Sequence, residues 1–220
     1  MIEPADFGLV NVESTASIIA RRLRKEIMDG AIRPGSQLTE ADLAARFEVG
    51  RGALREAMQR LAQEGLLRSE RNRGFFVVTL MLEDVRDIYT ARAAVERAAV
   101  SLIFCRDSMR AAGRLAVVHR EMKDAASRAD YAAVSDADLR FHEVFVAESG
   151  SPRLSRMYGT LLAESRMCMT ALESTSRPPD EVVEEHGAIV EGIRTGDAER
   201  LFELVDAHQS DALRRLTPAS

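Results

Sequence analysis

Four side chains in the second half of the sequence could ligate a metal ion. Asp138 and His142 are four residues apart, which places a carboxylate and an imidazole on one face of a helix. The Gly-Asp turn at 196–197 begins ten residues after His186 and ends eleven before His208. These two imidazoles should therefore lie side by side across an antiparallel helix pair. Three imidazoles and one carboxylate suit a divalent transition metal of the Zn²⁺, Ni²⁺ or Mn²⁺ class.

Such a donor set is compatible with several functions. The metal could have a purely structural role and hold the helices together, or it could be the species that the protein senses. It could also activate water in a metallo-hydrolase. The sequence disfavours hydrolysis because it has no His-Glu-x-x-His motif, and Glu143, adjacent to His142, should point to a different helix face.

The elements before residue 80 predict a winged helix-turn-helix, in which three helices are followed by a β-hairpin. Capping residues and glycines mark the helix ends. Short β-type runs on either side of a polar, basic loop indicate the hairpin. The expected elements are a helix capped by Ser14 or Thr15 and closed by Gly30, a short helix capped by Thr39, a helix between Gly50 and Gly65, and strands at 66–69 and 75–79 joined by the loop 70–74.

Four arginines in this region could contact DNA. Arg51 and Arg55 open the second helix of the helix-turn-helix, the element that enters the major groove, and share one face of it. Arg71 and Arg73 lie at the tip of the wing, where they could reach phosphate or the minor groove. Arginines are also common on ordinary protein surfaces, so their placement carries the prediction more than their number.

After residue 79 the pattern is purely helical and predicts a six-helix antiparallel bundle, so the chain as a whole is mainly α. The expected helices are 83–105, 107–128, 131–149, 151–173, 180–196 and 198–216. We divide the chain into an arm at 1–14, a DNA-binding domain at 15–79 and an all-α domain at 80–216. The connection at 80–84 is too short for a flexible linker, which favours closely coupled domains.

Charge and composition agree with this division. Residues 14–80 contain 12 basic and 8 acidic residues, whereas residues 81–220 contain 18 basic and 24 acidic ones. A basic N-terminal region in an otherwise acidic chain is typical of a DNA-binding domain joined to another domain. No signal peptide or apolar run long enough for a membrane span is present, so we expect a cytoplasmic protein without membrane contact. We interpret Cys105 and Cys168 as two buried, reduced thiols.

Residues 18–78 resemble the DNA-binding domain of GntR-family bacterial regulators. The resemblance rests on the segments Gly30–Gly35, Leu38-Thr39-Glu40, Leu54-Arg55-Glu56-Ala57, Glu64-Gly65-Leu66 and Asn72-Arg73-Gly74. The six-helix remainder is similar to the all-α effector domain of the FadR-type branch, the FCD domain, at its shorter VanR-like length. The resemblance implies a regulator rather than an enzyme, most simply a repressor that binds a palindromic operator as a homodimer.

The resemblance also implies roles in the all-α domain. FadR-type domains that bind metal use an Asp-x3-His pair and two later histidines, positions that Asp138, His142, His186 and His208 match. Arg92 matches an arginine that faces the effector cavity and pairs with an acidic ligand, so the expected effector is a small carboxylate. Arg140 and Arg166 are weaker candidates for effector binding, and Arg140 should point away from the Asp138 face. His119 has no match and is interpreted as an ordinary helix residue.

Two glycines depart from the family pattern. Position 50 is usually Ser or Thr and position 52 often Thr, whereas this chain has Gly50 and Gly52. Gly50 can still begin the helix, but two side chains that could contact DNA are missing. We therefore expect an altered sequence preference and a greater dependence on Arg51, Arg55 and the wing, including Gly74.

Overall fold

The computed structural model describes residues 13–171 and 178–217, in two packed units. Most of the predicted arm, residues 1–12, and the end of the predicted helix 151–173 lie outside the described residues. The first unit is a winged helix-turn-helix, as predicted. Its elements are α1 (Thr15–Met28), β1 (Gln37–Leu38), α2 (Glu40–Phe47), α3 (Arg51–Gln63), β2 (Leu67–Glu70) and β3 (Gly74–Val77).

Local capping explains where these helices begin. The Ser14 hydroxyl accepts a hydrogen bond from the backbone N–H of Ser17, and the Thr39 hydroxyl accepts one from Asp42. Each bond satisfies an amide that the first helical turn leaves unpaired. The apolar faces of the helices meet in a core whose fully buried members include Leu23, Leu54, Met58 and Leu61.

The sheet contains one strand that sequence reasoning missed. β1 pairs antiparallel with β3, with Gln37 opposite Phe76 and Leu38 opposite Phe75, so the strand order is β1-β3-β2. A strand of two residues is too short to show the alternation of apolar and polar residues that identifies strands. Its pairing depends on β3, which lies 36 residues later in the chain.

The second unit is the predicted six-helix bundle. Aspartate side chains at 107, 130 and 197 cap three of its helices. The helices are α4 (Leu82–Phe104), α5 (Ser108–Ser127), α6 (Tyr131–Glu148), α7 (Pro152–Ala171), α8 (Pro179–Thr195) and α9 (Ala198–Leu216). Among the described helices, none is long and apolar enough to cross a membrane.

The α7 helix joins the two units. Ala163 and Met167 on α7 belong to the same buried cluster as the core of the winged helix-turn-helix. The Thr170 hydroxyl donates a hydrogen bond of 2.9 Å to the carbonyl of Met28 at the end of α1. The bundle thus contacts the first unit through shared apolar packing as well as through the short connection before α4.

The two cysteines differ in environment. Cys168 is buried, and its burial raises the pKa of the thiol to about 12. Cys105 is exposed, so the prediction of a buried thiol is wrong at that position. Cys105 follows the last residue of α4, where the chain leaves the bundle core to begin the turn toward α5.

Two glycines offer opposite tests of this fold. Gly65 has a φ of +78°, and a Cβ there would lie 2.6 Å from Glu164 Oε1 on α7. Gly113 is exposed in α5 with no atom within 4 Å of a Cβ. We expect Gly65→Ala to destabilise the protein by about 1–2 kcal/mol and Gly113→Ala to stabilise it by about 0.5–1 kcal/mol. Urea unfolding measures both, and equal stabilities of the two variants would contradict the left-handed turn at residue 65.

Candidate metal centre and nucleic-acid interface

The structure brings together the four side chains that the sequence singled out as metal ligands. Asp138 and His142 lie on α6, His186 on α8 and His208 on α9. One donor atom from each residue lies within 4.8 Å of the others. The three imidazoles are buried, and the carboxylate is partly exposed. The helix spacing and the α8–α9 turn thus set each pair, and the packing of α6 against α8 and α9 brings the two pairs together.

The outer nitrogen of His186 fixes which ring nitrogen faces the cluster. Its Nδ1 lies 2.7 Å from the carbonyl of Val182, and because a carbonyl can only accept, we assign the proton to Nδ1. The lone pair of Nε2 then faces Asp138 Oδ1 at 3.1 Å. That nitrogen is buried and has no aligned hydrogen-bond partner within the described residues.

His208 has the same arrangement with a carboxylate as its outer partner. Its Nδ1 lies 2.9 Å from Glu185 Oε2, so Nδ1 donates and the Nε2 lone pair points inward. Burial lowers the pKa of His208 to about 4, against the opposing effect of Glu185. The imidazole is therefore neutral near pH 7, which is the form that binds metals. Its Nε2 lies 2.9 Å from Nε2 of His142.

A buried carboxylate stands behind His142. Glu96 Oε1 lies 3.2 Å from His142 Nδ1, a close contact rather than an aligned hydrogen bond. The Tyr158 hydroxyl donates to the same oxygen, and Arg92 Nη2 lies 3.5 Å from it. Burial would raise the pKa of Glu96, but His142, Arg92 and Tyr158 together hold it well below its usual range.

The donor chemistry fits a divalent metal. Asp138 Oδ1 and the inward nitrogens of His186 and His208 are electron-pair donors that approach one another. Electron pairs at such distances repel unless a cation lies between them. The outer nitrogens are already engaged by a carbonyl and a carboxylate, which is the usual outer shell of a metal-binding imidazole.

Sequence reasoning missed this outer shell. Glu96 lies four residues after Arg92 in an apolar part of α4, and that spacing was an available signal for a buried ion pair. Tyr158 and Glu185 offered no comparable signal. Tyr158 is 62 residues from Glu96, and Glu185 is on a helix hairpin whose geometry is set by packing.

Two of the four cluster residues, Asp138 and His208, line a cavity of about 490 Å³. Arg92 and Arg166, both predicted to bind an effector, line this cavity. Arg92 is buried against Tyr158 and Glu96, whereas Arg166 pairs with Asp136 at 2.5 Å. Further lining residues are Tyr89, Tyr131, Ser135, Met169, Thr170 and Arg215.

Arg140 is not among the lining residues of this cavity. It is exposed and donates to Glu121 on α5 at 2.9 Å. Its position two residues from both Asp138 and His142 turns it to another face of α6, which is why the structure does not bring this candidate to the cavity. His119 also lies outside the cluster, with Nε2 2.9 Å from the carbonyl of Val183.

The predicted DNA-contacting arginines of α3 differ in their partners. Arg51 is the first residue of α3, is exposed, and makes no hydrogen bond or ion pair with the described residues. Arg55 is also exposed but donates from Nε and Nη2 to the Glu40 carboxylate at 2.8 and 3.1 Å. The Arg51 guanidinium is therefore the freer of the two for a DNA ligand.

The wing shows the same contrast. Arg71 is exposed in the turn, whereas Arg73 donates to Glu70 at 2.5 Å and lies over the Phe76 ring at 5.0 Å. Gly74 has a φ of +90°, and a Cβ there would lie 3.4 Å from the carbonyl of Leu38. The turn itself therefore accounts for Gly74.

No packing requirement explains the two glycines at the start of α3. A Cβ at Gly50 or Gly52 would have no atom within 4 Å, and both residues are exposed. Gly50 begins the helix without a side-chain cap. Larger side chains would be accommodated at both positions, so these residues shape the exposed start of α3 rather than the core.

Comparisons with known proteins extend over most of the chain. Residues 15–77 match the bacterial regulatory proteins of the gntR family, and residues 87–211 match the FCD domain. The chain is 30% identical to the HTH-type transcriptional regulator BphR of Paraburkholderia xenovorans strain LB400, over 91% of this chain and 84% of that protein. It is 27% identical to a gluconate operon transcriptional repressor of Bacillus licheniformis, over 90% and 83% of the two chains.

Solved structures agree with these sequence matches. A transcriptional regulator GntR from Rhodococcus sp. RHA1 superposes with a TM-score of 0.80 at 27% identity, covering 94% of this chain and all of that one. Escherichia coli McbR/YncC has a TM-score of 0.78 over 93% of this chain and 98% of its own. Its identity is 19%, so this second likeness concerns the fold alone.

Proposed function

The chain belongs to the GntR family of bacterial DNA-binding transcriptional regulators, with an FCD domain, and from this premise we propose that it is a metal-dependent repressor that senses a small carboxylate. The observation that carries the proposal is the Asp-His₃ cluster, which reaches through Asp138 and His208 a cavity that arginines also line. The family consists of regulators, so the metallo-hydrolase alternative is set aside.

Asp138, His142, His186 and His208 would hold the metal. A divalent transition ion bound there supplies positive charge and a coordination position that a ligand oxygen can fill. The chain's own residues keep the donors in place through the outer partners of the rings, and Asp138 is partly exposed toward the cavity. Metal and cavity therefore form one binding site.

The charges around the cavity support an anionic effector. Arg166 is 24% exposed, and its partner Asp136 is 63% exposed, so this ion pair is held at the surface of the cavity. Exposed ion pairs contribute little stability, and an incoming carboxylate can replace Asp136 at low free-energy cost. Arginine favours carboxylates because its planar donors match two oxygens.

The α7 helix offers a route from the cavity to the DNA-binding unit. Arg166, Met169 and Thr170 line the cavity, while Met167 packs in the winged helix-turn-helix core. The same Thr170 donates to the Met28 carbonyl at the end of α1. A ligand that binds two positions of α7 unequally would shift the population of the DNA-bound arrangement.

We further propose a homodimer on a palindromic operator. One chain carries a single recognition helix, and a two-fold pair presents two such helices to successive half-sites. The division at residues 79–80 between the DNA-binding and effector domains belongs to this proposal. Repression is the simplest outcome, because such a dimer occludes the DNA that it binds.

Purified protein should shift its own upstream DNA, and a hit from a screen of small carboxylic acids on zinc-loaded protein should release that DNA. A ligand that binds only the native state raises the melting temperature. Failure of the protein to shift its upstream DNA would contradict the proposed repressor function. A full switch of DNA affinity by metal alone would instead favour the metal-sensing alternative.

A matched pair of arginines tests the effector site. We expect Arg166→Gln to weaken binding of the carboxylate hit by about tenfold, the effect of losing one charged hydrogen bond. Arg140→Gln removes an equal charge outside the cavity and should leave the affinity unchanged. Calorimetric titration of both variants measures this difference. Equal affinities of the two variants for the carboxylate would show that the carboxylate does not bind at Arg166.

A further inference from the structure

Glu96 contacts both an arginine of the cavity wall, Arg92, and one of the candidate metal ligands, His142. It is 1% exposed. Three groups surround its Oε1: Arg92 Nη2 at 3.5 Å, His142 Nδ1 at 3.2 Å and the Tyr158 hydroxyl, which donates to it. Burying a carboxylate costs free energy unless positive or hydrogen-bond-donating groups surround it. The three surrounding groups therefore stabilise the buried Glu96 side chain.

The charge of Glu96 bears on the tautomer of His142. A negative oxygen next to Nδ1 favours the tautomer that carries the proton on that nitrogen. The lone pair then resides on Nε2, which lies 2.9 Å from His208 Nε2, inside the cluster. The opposite tautomer would turn an N–H toward the other donors and could not ligate a metal.

We infer that Glu96 is a positioning residue that directs the Nε2 lone pair of His142 to the metal while it holds Arg92 in the cavity wall. The inference rests on the proposed metal site and assigns Glu96 a role within it. Arg92 Nη2 and His142 Nδ1 both lie next to Glu96 Oε1, so the two side chains are held through the same carboxylate. Arg92 also donates from Nε at 3.2 Å to the Tyr158 hydroxyl, which in turn donates to that oxygen. The effector cavity and the metal ligand thus share one structural support.

Glu185 is the corresponding group for His208, which separates the two effects. It contacts His208 Nδ1 at 2.9 Å from α8 and does not line the cavity. Glu96 contacts both a ligand imidazole, His142, and a cavity arginine, Arg92. Its replacement should therefore alter metal binding through His142 and leave the His208 contact intact.

The test compares Zn²⁺ binding to the full-length wild type, Glu96→Gln and Glu143→Gln, by competition with a chromogenic chelator. Loss of an outer-shell partner weakens metal affinity by about 10–100-fold, and we expect this for Glu96→Gln. Glu143 is exposed next to His142 in sequence, so Glu143→Gln makes the same charge change without the contact and should bind Zn²⁺ like the wild type.

A second measurement does not depend on folding of the variant. In the Zn²⁺-loaded wild type labelled with ¹⁵N-histidine, NMR should show His142 coordinated through Nε2 with a proton retained on Nδ1. Two results would overturn the role of Glu96 while leaving the proposed metal site intact. One is coordination of His142 through Nδ1, and the other is equal Zn²⁺ affinity of Glu96→Gln and Glu143→Gln. A wild type that binds no Zn²⁺ would overturn the proposed metal site and this inference with it.

Discussion

Arg51→Ala is expected to weaken binding to the operator by at least about thirtyfold. A bidentate arginine contact to a base is worth about 1–3 kcal/mol, and a dimer loses it in both half-sites. Arg51 opens α3, is exposed and makes no ion pair with the described residues, so its removal takes nothing from the fold. The melting temperature should therefore stay unchanged.

The measurement is a gel-shift or anisotropy titration of the protein's own upstream DNA at fixed salt. Arg200→Ala is the matched control, because Arg200 is also an exposed arginine and pairs with Glu203 in the bundle. It removes the same charge from the molecule without touching the recognition helix. Equal affinities of the Arg51 and Arg200 variants would contradict the assignment of α3 as the DNA reader.

Arg55 should behave differently from Arg51. Its guanidinium already donates two hydrogen bonds to Glu40, so a DNA contact must be shared with that pair or replace it. The Glu40 pair positions the guanidinium along the exposed face of α3. For this reason we expect a smaller loss of affinity for Arg55→Ala than for Arg51→Ala.

His186→Ala is expected to abolish stabilisation of the protein by Zn²⁺. At a metal concentration about 100 times Kd, ligation stabilises the native state by about 2.7 kcal/mol. For a chain of this length that corresponds to a rise of roughly 5–10 °C in melting temperature. The His186 imidazole is fully buried and supplies one of four donors. Its loss leaves three donors and an open coordination position, so at the same zinc concentration the weakened site is too little occupied to stabilise the protein.

Thermal unfolding with and without Zn²⁺, together with elemental analysis, tests this expectation. His119→Ala is the control, since that imidazole is half-buried against the Val183 carbonyl and lies outside the cluster. It should lose some stability and keep the full zinc-dependent rise. A zinc-dependent rise that persists in His186→Ala would show that the ion binds elsewhere.

Most of the fold was predictable because its signals are local. Capping at Ser14, Thr39 and Asp130 depends on residues three positions apart, so the starts of these three helices follow from short-range chemistry. The six bundle helices were placed from the same signals. The strand β1 was missed because it has two residues and exists only through pairing with β3.

The candidate metal ligands were also within reach of the sequence. Helix geometry alone puts Asp138 and His142 on one face, and the short turn between α8 and α9 brings His186 near His208. These relations extend over one helix or one hairpin, so spacing expresses them directly. Spacing therefore gives each pair, whereas the family resemblance, not the spacing, joined the two pairs into one predicted donor set.

Only the tertiary structure decided what surrounds those donors and which arginines are free. Glu96 and Tyr158 come from α4 and α7 and meet behind His142 because the bundle packs those helices together. The Glu40 pair distinguishes Arg55 from Arg51 through the packing of α2 on α3. Spacing in the sequence specifies the near neighbours of a residue, whereas contacts between distant elements depend on how their apolar faces fit, which no local pattern records.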